Sequence, residues 1–241
     1  MTRPGGSVLD RDRLIVDRQK GGPPVKGESL REQIVSSLRW AIFMGELPPG
    51  DHFSVPILAE QFGVSPTPVR EAVLDLVQQG LVVALPNRGF KVVAPSMEYL
   101  RQAMQVRRLL EIPTMRAIAA TVSPGEIEPI RRLADAILRF AQEGDLKHFV
   151  EADYEFHWQL TGLCGNRILT EVIEDLRSRA RVVAIPAIAR LGVITETAKE
   201  HQDLLTAMIE RDLDAVERVT LAHMDRTFEG LKAAALSVPQ S

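Results

Sequence analysis

The sequence predicts a mainly α-helical protein in which an N-terminal winged helix-turn-helix is followed by an all-α antiparallel helical bundle. Two short helical patterns that meet at a tight turn near Gly63 predict the helix-turn-helix, and two strand-like runs after them predict a hairpin wing. After Pro95 every apolar pattern has helical spacing. We therefore divide the chain into a tail over 1–27, a winged-helix domain over 28–95 and a helical domain over 96–236.

Composition limits the classes of function. The net charge of −3 gives no global argument for nucleic-acid binding, so such an argument must come from the placement of individual basic side chains. A single cysteine, Cys164, excludes an intramolecular disulfide and a cysteine-based zinc or iron–sulfur site. The sequence has no apolar run of membrane-spanning length and no secretory signal pattern. We expect a cytoplasmic protein without a membrane partner.

The tail over 1–27 combines glycine, proline and alternating charges with few large apolar side chains. Such a composition buries too little apolar surface to offset the entropy lost on folding, so we expect disorder. The tail carries six Lys and Arg residues against three Asp residues. These basic side chains are expected to add contacts with phosphates.

The winged-helix domain is predicted to contain three helices and two strands. An apolar pattern with helical spacing begins after Ser29 and ends at Gly45. The remaining elements are helices over 55–62 and 66–79 and strands over 81–84 and 89–93. The apolar side chains predicted to seat the third helix on its domain are Val69, Val73, Leu74 and Val77.

The start of the third helix is predicted to contact DNA. Ser65 is a suitable N-cap and Pro66 fits the first turn, so the helix would present its positive dipole end and free backbone N–H groups. Arginine can bind a guanine edge or a phosphate, and a wing can reach a neighbouring groove. The predicted DNA-binding residues are Ser65, Thr67, Arg70, Arg88, Gly89 and Lys91. The alternatives are solvated surface arginines and a winged helix that binds another protein.

Six helices are predicted for the second domain, with breaks at glycine and proline residues. Their ranges are 97–121, 124–143, 145–163, 166–185, 196–211 and 213–234. Asp153 and His157 are four residues apart and therefore share one helical face, which also carries Leu160. His201 and His223 also fall on apolar faces of their helices.

One carboxylate and three imidazoles are costly to bury separately, so we expect Asp153, His157, His201 and His223 to converge. A divalent metal would satisfy all four. Oxygen with three imidazole nitrogens suits zinc, nickel, manganese or iron, of which we favour zinc. The alternative for each histidine is a hydrogen-bonded core residue.

The winged-helix domain resembles the GntR family of bacterial transcription regulators. The resemblance is carried by the run from Leu38 to Gly50, then Leu58-Ala59-Glu60, Gly63-Val64-Ser65, Thr67 to Ala72, and Gly80-Leu81-Val82. It departs from the family at Pro66, where many members carry a DNA-contacting arginine. The resemblance implies a homodimer that binds double-stranded operator DNA.

The helical domain resembles the FCD effector-binding domain of the FadR-type branch of that family, and is similar to its compact VanR-like members. The motif comprises Asp153, Phe156, His157 and Leu160, then Gly165-Asn166, then Glu200, His201, Leu204, Leu205, Ala207 and Met208, and finally Ala222-His223. The resemblance implies a metal in the bundle cavity and a small organic acid bound beside it through its carboxylate.

Two further residues are predicted to contact that acid. Arg107 matches an arginine of the family pattern, with Arg108 as the other candidate and a surface salt bridge to Glu111 as the alternative role. Asn166 could donate a hydrogen bond to the acid, or could simply cap the end of a helix.

The sequence therefore predicts a transcriptional regulator, not an enzyme, whose operator binding responds to an organic acid. Two alternatives remain. A metalloenzyme would use the open metal coordination to activate water, although no general base is evident in the sequence. A metal that only staples the helices together would sense nothing.

Overall fold

The computed structural model describes residues 29–86 and 88–236, with side chains described up to 232, so the predicted tail over 1–27 lies outside the described residues. Contacts within the chain divide it into two compact units, 1–95 and 96–241. Among the described residues, no helix has the length and apolar content that crossing a membrane requires.

The N-terminal unit is a winged helix-turn-helix, as predicted. Its elements are α1 (Leu30–Phe43), β1 (His52–Phe53), α2 (Val55–Phe62), α3 (Pro66–Gln78), β2 (Val82–Leu85) and β3 (Gly89–Val92). A capping box between Ser29 and Glu32 begins α1. Gly63 ends α2 with a φ of 62°, which is the left-handed conformation that glycine adopts without strain.

The sheet has three strands instead of the predicted two. The strand order is β1-β3-β2 and both pairs are antiparallel. His52 lies opposite Lys91, and Phe53 opposite Phe90. A two-residue strand carries no readable alternation, so its existence depends on the pairing partner that the fold provides.

The buried face of α3 differs in part from the predicted stripe. Val69 and Val73 are buried as expected, together with Ala72 and Leu76. Leu74 is 49% exposed, which corrects its assignment to the core. Adjacent residues on a helix point about 100° apart, so Val73 and Leu74 cannot both face the same narrow groove.

The C-terminal unit consists of helices throughout the part that is described. They are α4 (Met97–Thr121), α5 (Pro124–Glu143), α6 (Leu146–Gly162), α7 (Arg167–Arg190), α8 (Ile194–Glu210) and α9 (Leu213–Leu236). The predicted end of α7 at residue 185 was wrong, because the helix continues through Pro186. Ala184, Ile185, Ala187 and Ile188 are all buried on that segment. Their packing outweighs the hydrogen bond that proline cannot make.

Gly89 provides a test of the wing. Its φ is +86°, and a Cβ built there would lie 2.3 Å from the carbonyl oxygen of Phe53. We expect Gly89→Ala to lower the free energy of unfolding of this unit by about 2–4 kcal/mol, since both the backbone and the contact with β1 are strained. The measurement is urea unfolding followed by Trp40 fluorescence in a Trp158→Phe background.

Gly45→Ala is the matched control. Gly45 also has a positive φ, of +74°, but no atom lies within 4 Å of the added Cβ. Its loss should be only about 1–2 kcal/mol, from the backbone alone. Equal losses in the two variants would contradict the close approach of β1 to Gly89.

Candidate metal and effector site and DNA-binding surface

The four predicted metal ligands lie together in the C-terminal unit. The ligand nitrogens of His157, His201 and His223, from α6, α8 and α9, all lie within 4.8 Å of one another. The two Nε2 atoms of His157 and His201 are 3.1 Å apart. Asp153 Oδ1 is 3.3 Å from His201 Nε2 and 3.6 Å from His157 Nε2. Three different helices thus bring their polar side chains to one point.

This donor set fits a divalent transition metal. Two nitrogens that each lie about 2.1 Å from one metal are about 3.0–3.4 Å apart, which matches the separation of the His157 and His201 nitrogens. His201 Nδ1 is 3.1 Å from the Ala198 carbonyl oxygen, and His223 Nδ1 is 3.1 Å from Glu200 Oε2. An N–H donated from each Nδ1 leaves the Nε2 lone pair available for a metal.

Burial sets the protonation states of the site. It lowers the pKa of His157 well below the usual value, and the nearby charge of Arg177 lowers that pKa further. Burial also lowers the pKa of His223. Burial raises the pKa of Asp153, but contacts with His157, His201 and Arg181 outweigh it and hold that pKa well below its usual value. Neutral imidazoles and an ionised carboxylate are the forms that bind metals.

A buried ion-pair network on α7 holds the Asp153 carboxylate. Arg181 Nε donates to Asp153 Oδ2 at 2.9 Å, and Arg181 Nη1 lies 2.9 Å from Glu174 Oε1. All three side chains are at most 11% exposed. The sequence analysis missed Glu174, Arg177 and Arg181, although their spacing of three and four residues places them on the face that continues into buried Ala184.

Arg107 lies in the interior and is paired with Glu111. Its Nε is 2.6 Å from Glu111 Oε1, and both side chains are 3% exposed. Arg177 Nη1 also donates a hydrogen bond to Glu111 Oε2. The pairing with Glu111 is therefore present, but as a buried pair and not the surface salt bridge of the alternative. Arg108 pairs with Asp225 and is 43% exposed.

Two small cavities adjoin the histidines. The larger, of about 30 Å³, is lined by polar side chains that include Arg107, Asp153 and Arg181 and by apolar Phe149, Ile185 and Ile188. The smaller, of about 20 Å³, is lined by residues that include His157, His201, Glu111 and Glu200. Arg177 and His223 line both cavities. Positive charge, metal-type ligands and apolar surface therefore occur in one place, as binding of a small acid requires.

Asn166 has a different position from the predicted one. It is exposed, and its Oδ1 accepts a hydrogen bond from the Leu169 N–H at 3.1 Å. Asn166 is thus the N-cap of α7, not the C-cap of the preceding helix, because its short side chain pairs with a free N–H of the first turn. It lines neither cavity, so we do not retain it as an effector ligand.

The predicted DNA-binding residues lie on α3 and the wing. Ser65 is the N-cap of α3, and Ser65, Thr67 and Arg70 are exposed. Arg88 is exposed at the hairpin turn, while Lys91 is half-buried in the central strand β3. The turn conformation and the close approach of Phe53 explain why glycine occupies position 89.

The start of α3 has fewer free backbone N–H groups than we predicted. Pro66 and Pro68 occupy the first and third positions of the helix, and proline has no N–H. Thr67 therefore carries the only N–H among these three positions. Side chains, more than the backbone, must supply the hydrogen-bond donors of this tip.

The lowered histidine pKa values predict a pH dependence of stability. Histidine in the unfolded chain titrates near 6.5, so on acidification the unfolded chain takes up protons before His157 and His223 do in the folded chain. Stability is therefore lost as the pH falls below about 6.5. We expect the metal-free chain to be less stable by about 1–2 kcal/mol at pH 5.5 than at pH 7.5. Urea unfolding followed by Trp158 fluorescence in a Trp40→Phe background measures this difference.

Two variants control this measurement. His157→Gln removes a titrating group and should reduce the loss. His148→Gln changes an exposed histidine that pairs with Asp145 at 2.6 Å and should leave the loss in place. An unchanged loss in His157→Gln would show that buried histidines are not its cause.

Comparison with known proteins identifies both units. Residues 102–226 match the FCD domain, and residues 30–92 match the bacterial regulatory proteins of the gntR family. The HTH-type transcriptional repressor RspR of Escherichia coli K12 is 26% identical over 205 residues, which are 85% of this chain and 90% of that protein. The HTH-type transcriptional regulator McbR of the same strain is 28% identical over 156 residues, covering 65% of this chain and 71% of McbR.

Solved structures share the fold. E. coli McbR/YncC matches with a TM-score of 0.74 and 24% identity, covering 85% of this chain and 98% of that one. A putative GntR regulator from Rhodococcus sp. RHA1 matches with a TM-score of 0.72 and 21% identity, covering 88% of this chain and all of that one. The FCD match alone spans just over half of the sequence. The chain therefore belongs to the GntR family of bacterial transcription regulators, in the FadR-type branch that carries an FCD domain.

Proposed function

We propose that this regulator binds operator DNA as a homodimer and that a small organic acid, bound beside a divalent metal in the FCD domain, changes its affinity for the operator. The observation that carries the proposal is the convergence of Asp153, His157, His201 and His223 next to two arginine-lined cavities. The family is one of transcription regulators and not of enzymes, so an acid at this site is a signal and not a substrate.

Neighbouring groups of the chain orient the proposed metal ligands. The Ala198 carbonyl and the Glu200 carboxylate fix the ring orientation of His201 and His223, and Arg181 holds the second oxygen of Asp153. A divalent metal bound by these four residues would supply a Lewis acid for the carboxylate oxygen of an organic acid, and zinc is the metal we favour among zinc, nickel, manganese and iron. Arg107 lines the adjoining cavity and adds positive charge for the same carboxylate.

To act as a signal, a bound acid must contact several helices, so that its binding can change their arrangement. The four ligands come from α6, α8 and α9, and the ion pairs beside them add α4 and α7. An acid that binds one arrangement of these helices more tightly than another shifts their equilibrium, and operator affinity changes by the same coupling free energy.

DNA contacts are proposed for the tip of α3 and for the wing. Thr67 and Arg70 would approach base edges and phosphates in the major groove, with Ser65 at the start of the helix. Arg88 at the hairpin turn and Lys91 on β3 would contact the backbone or the neighbouring groove. A homodimer would place two such surfaces on successive turns of operator DNA, in the cytoplasm.

Arg70 tests the DNA surface. We expect Arg70→Ala to weaken operator binding about 10-fold or more and to reduce the salt dependence, because one cation is lost from each protomer. The measurement is fluorescence anisotropy with labelled DNA from the region upstream of the regulator's own gene, at several salt concentrations. Arg218→Ala, which removes a 69% exposed arginine from α9, is the control and should bind normally. Equal affinities of the Arg70 variant and the parent would exclude Arg70 from the interface.

His201 tests the metal site, because it is 1% exposed and lies close to both His157 and Asp153. After loading with zinc and dialysis, the parent should retain about one metal per chain by elemental analysis, whereas His201→Ala should bind at least 10–100-fold more weakly. His148→Ala alters an exposed histidine of the same unit and should retain the metal. A parent that takes up no zinc, nickel, manganese or iron would favour hydrogen-bonded core histidines instead.

A further inference from the structure

Arg177 lies where the two cavities meet. It lines both of them, together with His223, and its side chain is only 8% exposed. Its Nη1 pairs with Glu111, but its Nε is buried and has no hydrogen-bond partner in the part of the chain that is described. A buried donor without an acceptor costs about 1–3 kcal/mol, and an acceptor that arrives with a ligand would remove that cost at a cavity wall.

We propose that Arg177 is a second anchoring residue of the effector site and that the effector is a small dicarboxylate. The inference rests on the proposed function, since it names the class of acid that binds beside the metal. One carboxylate would bind at the metal, and the other would accept hydrogen bonds from the Arg177 guanidinium, including its Nε.

The size of the cavities supports two separate anionic groups. At about 30 and 20 Å³, each offers room for roughly one or two waters, which is also the size of a carboxylate group. Because the cavities share Arg177 and His223, only a short carbon chain is needed to join a carboxylate in one to a carboxylate in the other.

The charges around the cavities also favour a dianion. Each carboxylate already has an arginine partner: Asp153 and Glu174 pair with Arg181, Glu111 pairs with Arg107 and Arg177, and Glu200 pairs with Arg226. Four carboxylates against four arginines leave no net charge, and only Arg226 among the eight is as much as 39% exposed. A divalent metal therefore adds two positive charges that no residue of this network balances. Two carboxylates on the effector would balance them.

Matched acids test the inference by isothermal titration calorimetry of the zinc-loaded full-length protein. Succinate is compared with butyrate, and glutarate with valerate. The two acids of each pair have the same number of carbon atoms and differ only in the second carboxylate. We expect at least one dicarboxylate to bind 10-fold or more tightly than its monocarboxylate partner. Inorganic phosphate, a dianion with its charge in one group, should bind more weakly than that dicarboxylate.

Variants assign the preference to Arg177. Arg177→Gln should weaken dicarboxylate binding at least 10-fold and change monocarboxylate binding less than 3-fold. The double variant Glu111→Gln/Arg177→Gln removes one charge of each sign, so it keeps the network balanced if the single variant does not fold, and it should show the same loss. Arg108→Gln changes the neighbouring exposed arginine and should retain the preference.

The outcomes separate the two proposals. Equal binding of both acids of each pair, or tighter binding of phosphate, would overturn the dicarboxylate inference and leave a metal-dependent acid sensor intact. An unchanged preference in the Arg177 variants would overturn the assignment of Arg177 as the second anchoring residue. If the zinc-loaded protein bound none of the acids, the dicarboxylate inference would fail. If the protein failed to bind the metal itself, the proposed function would fail with it.

Discussion

The C-terminal unit depends on the pairing of charges that are buried between its helices. Removing a carboxylate or a guanidinium from water costs several kcal/mol of free energy, and only a close partner of opposite charge offsets that cost. Arg181 offsets the cost of burying Asp153 on α6, and Arg177 offsets the cost of burying Glu111 on α4. Both arginines lie on α7, so this helix carries the positive charge that fixes the position of Asp153 beside the histidines.

The same pairing connects the site to the fold. A wholly apolar core would hold these helices together as firmly, because replacing buried ion pairs with packed apolar side chains is often neutral or stabilising. Stability alone therefore does not require the ion pairs, and the proposed anion site would use charges that can exchange partners. The Glu111 carboxylate on Arg107 and Arg177 resembles, in chemistry and size, the carboxylate of an effector. In the proposed effector site, it would keep both arginines paired when no effector is bound.

The sequence was sufficient to predict most of the fold and the convergence of the four proposed metal ligands, for a shared reason. Helical spacing is local, so the i, i+4 relation of Asp153 and His157 and the apolar faces around His201 and His223 were readable without a structure. The sequence failed where the deciding partner is distant. Arginine is seldom fully buried, so the sequence alone does not predict that Arg177 and Arg181 lie in the interior; their partners Glu111 and Asp153 come from other helices. Strand β1 exists only because β3 pairs with it, and α7 continues past Pro186 because neighbouring helices cover it.

The N-terminal unit follows the opposite electrostatic rule, since its function depends on charges that remain exposed. Residues 28–95 contain five basic side chains against seven acidic ones. Arg31 is paired with Asp75, and Arg39 is half-buried in α1, so Arg70, Arg88 and Lys91 are the cations of this range that we propose for DNA contacts. With proline at two of the first three positions of α3, backbone donors are also few. With so little positive charge in its reading domain, the proposed homodimer would gain affinity by placing two copies on one operator, and operator binding would then be sensitive to any change in how the two copies are held. That sensitivity is what an acid bound in the FCD domain would need in order to act at a distance.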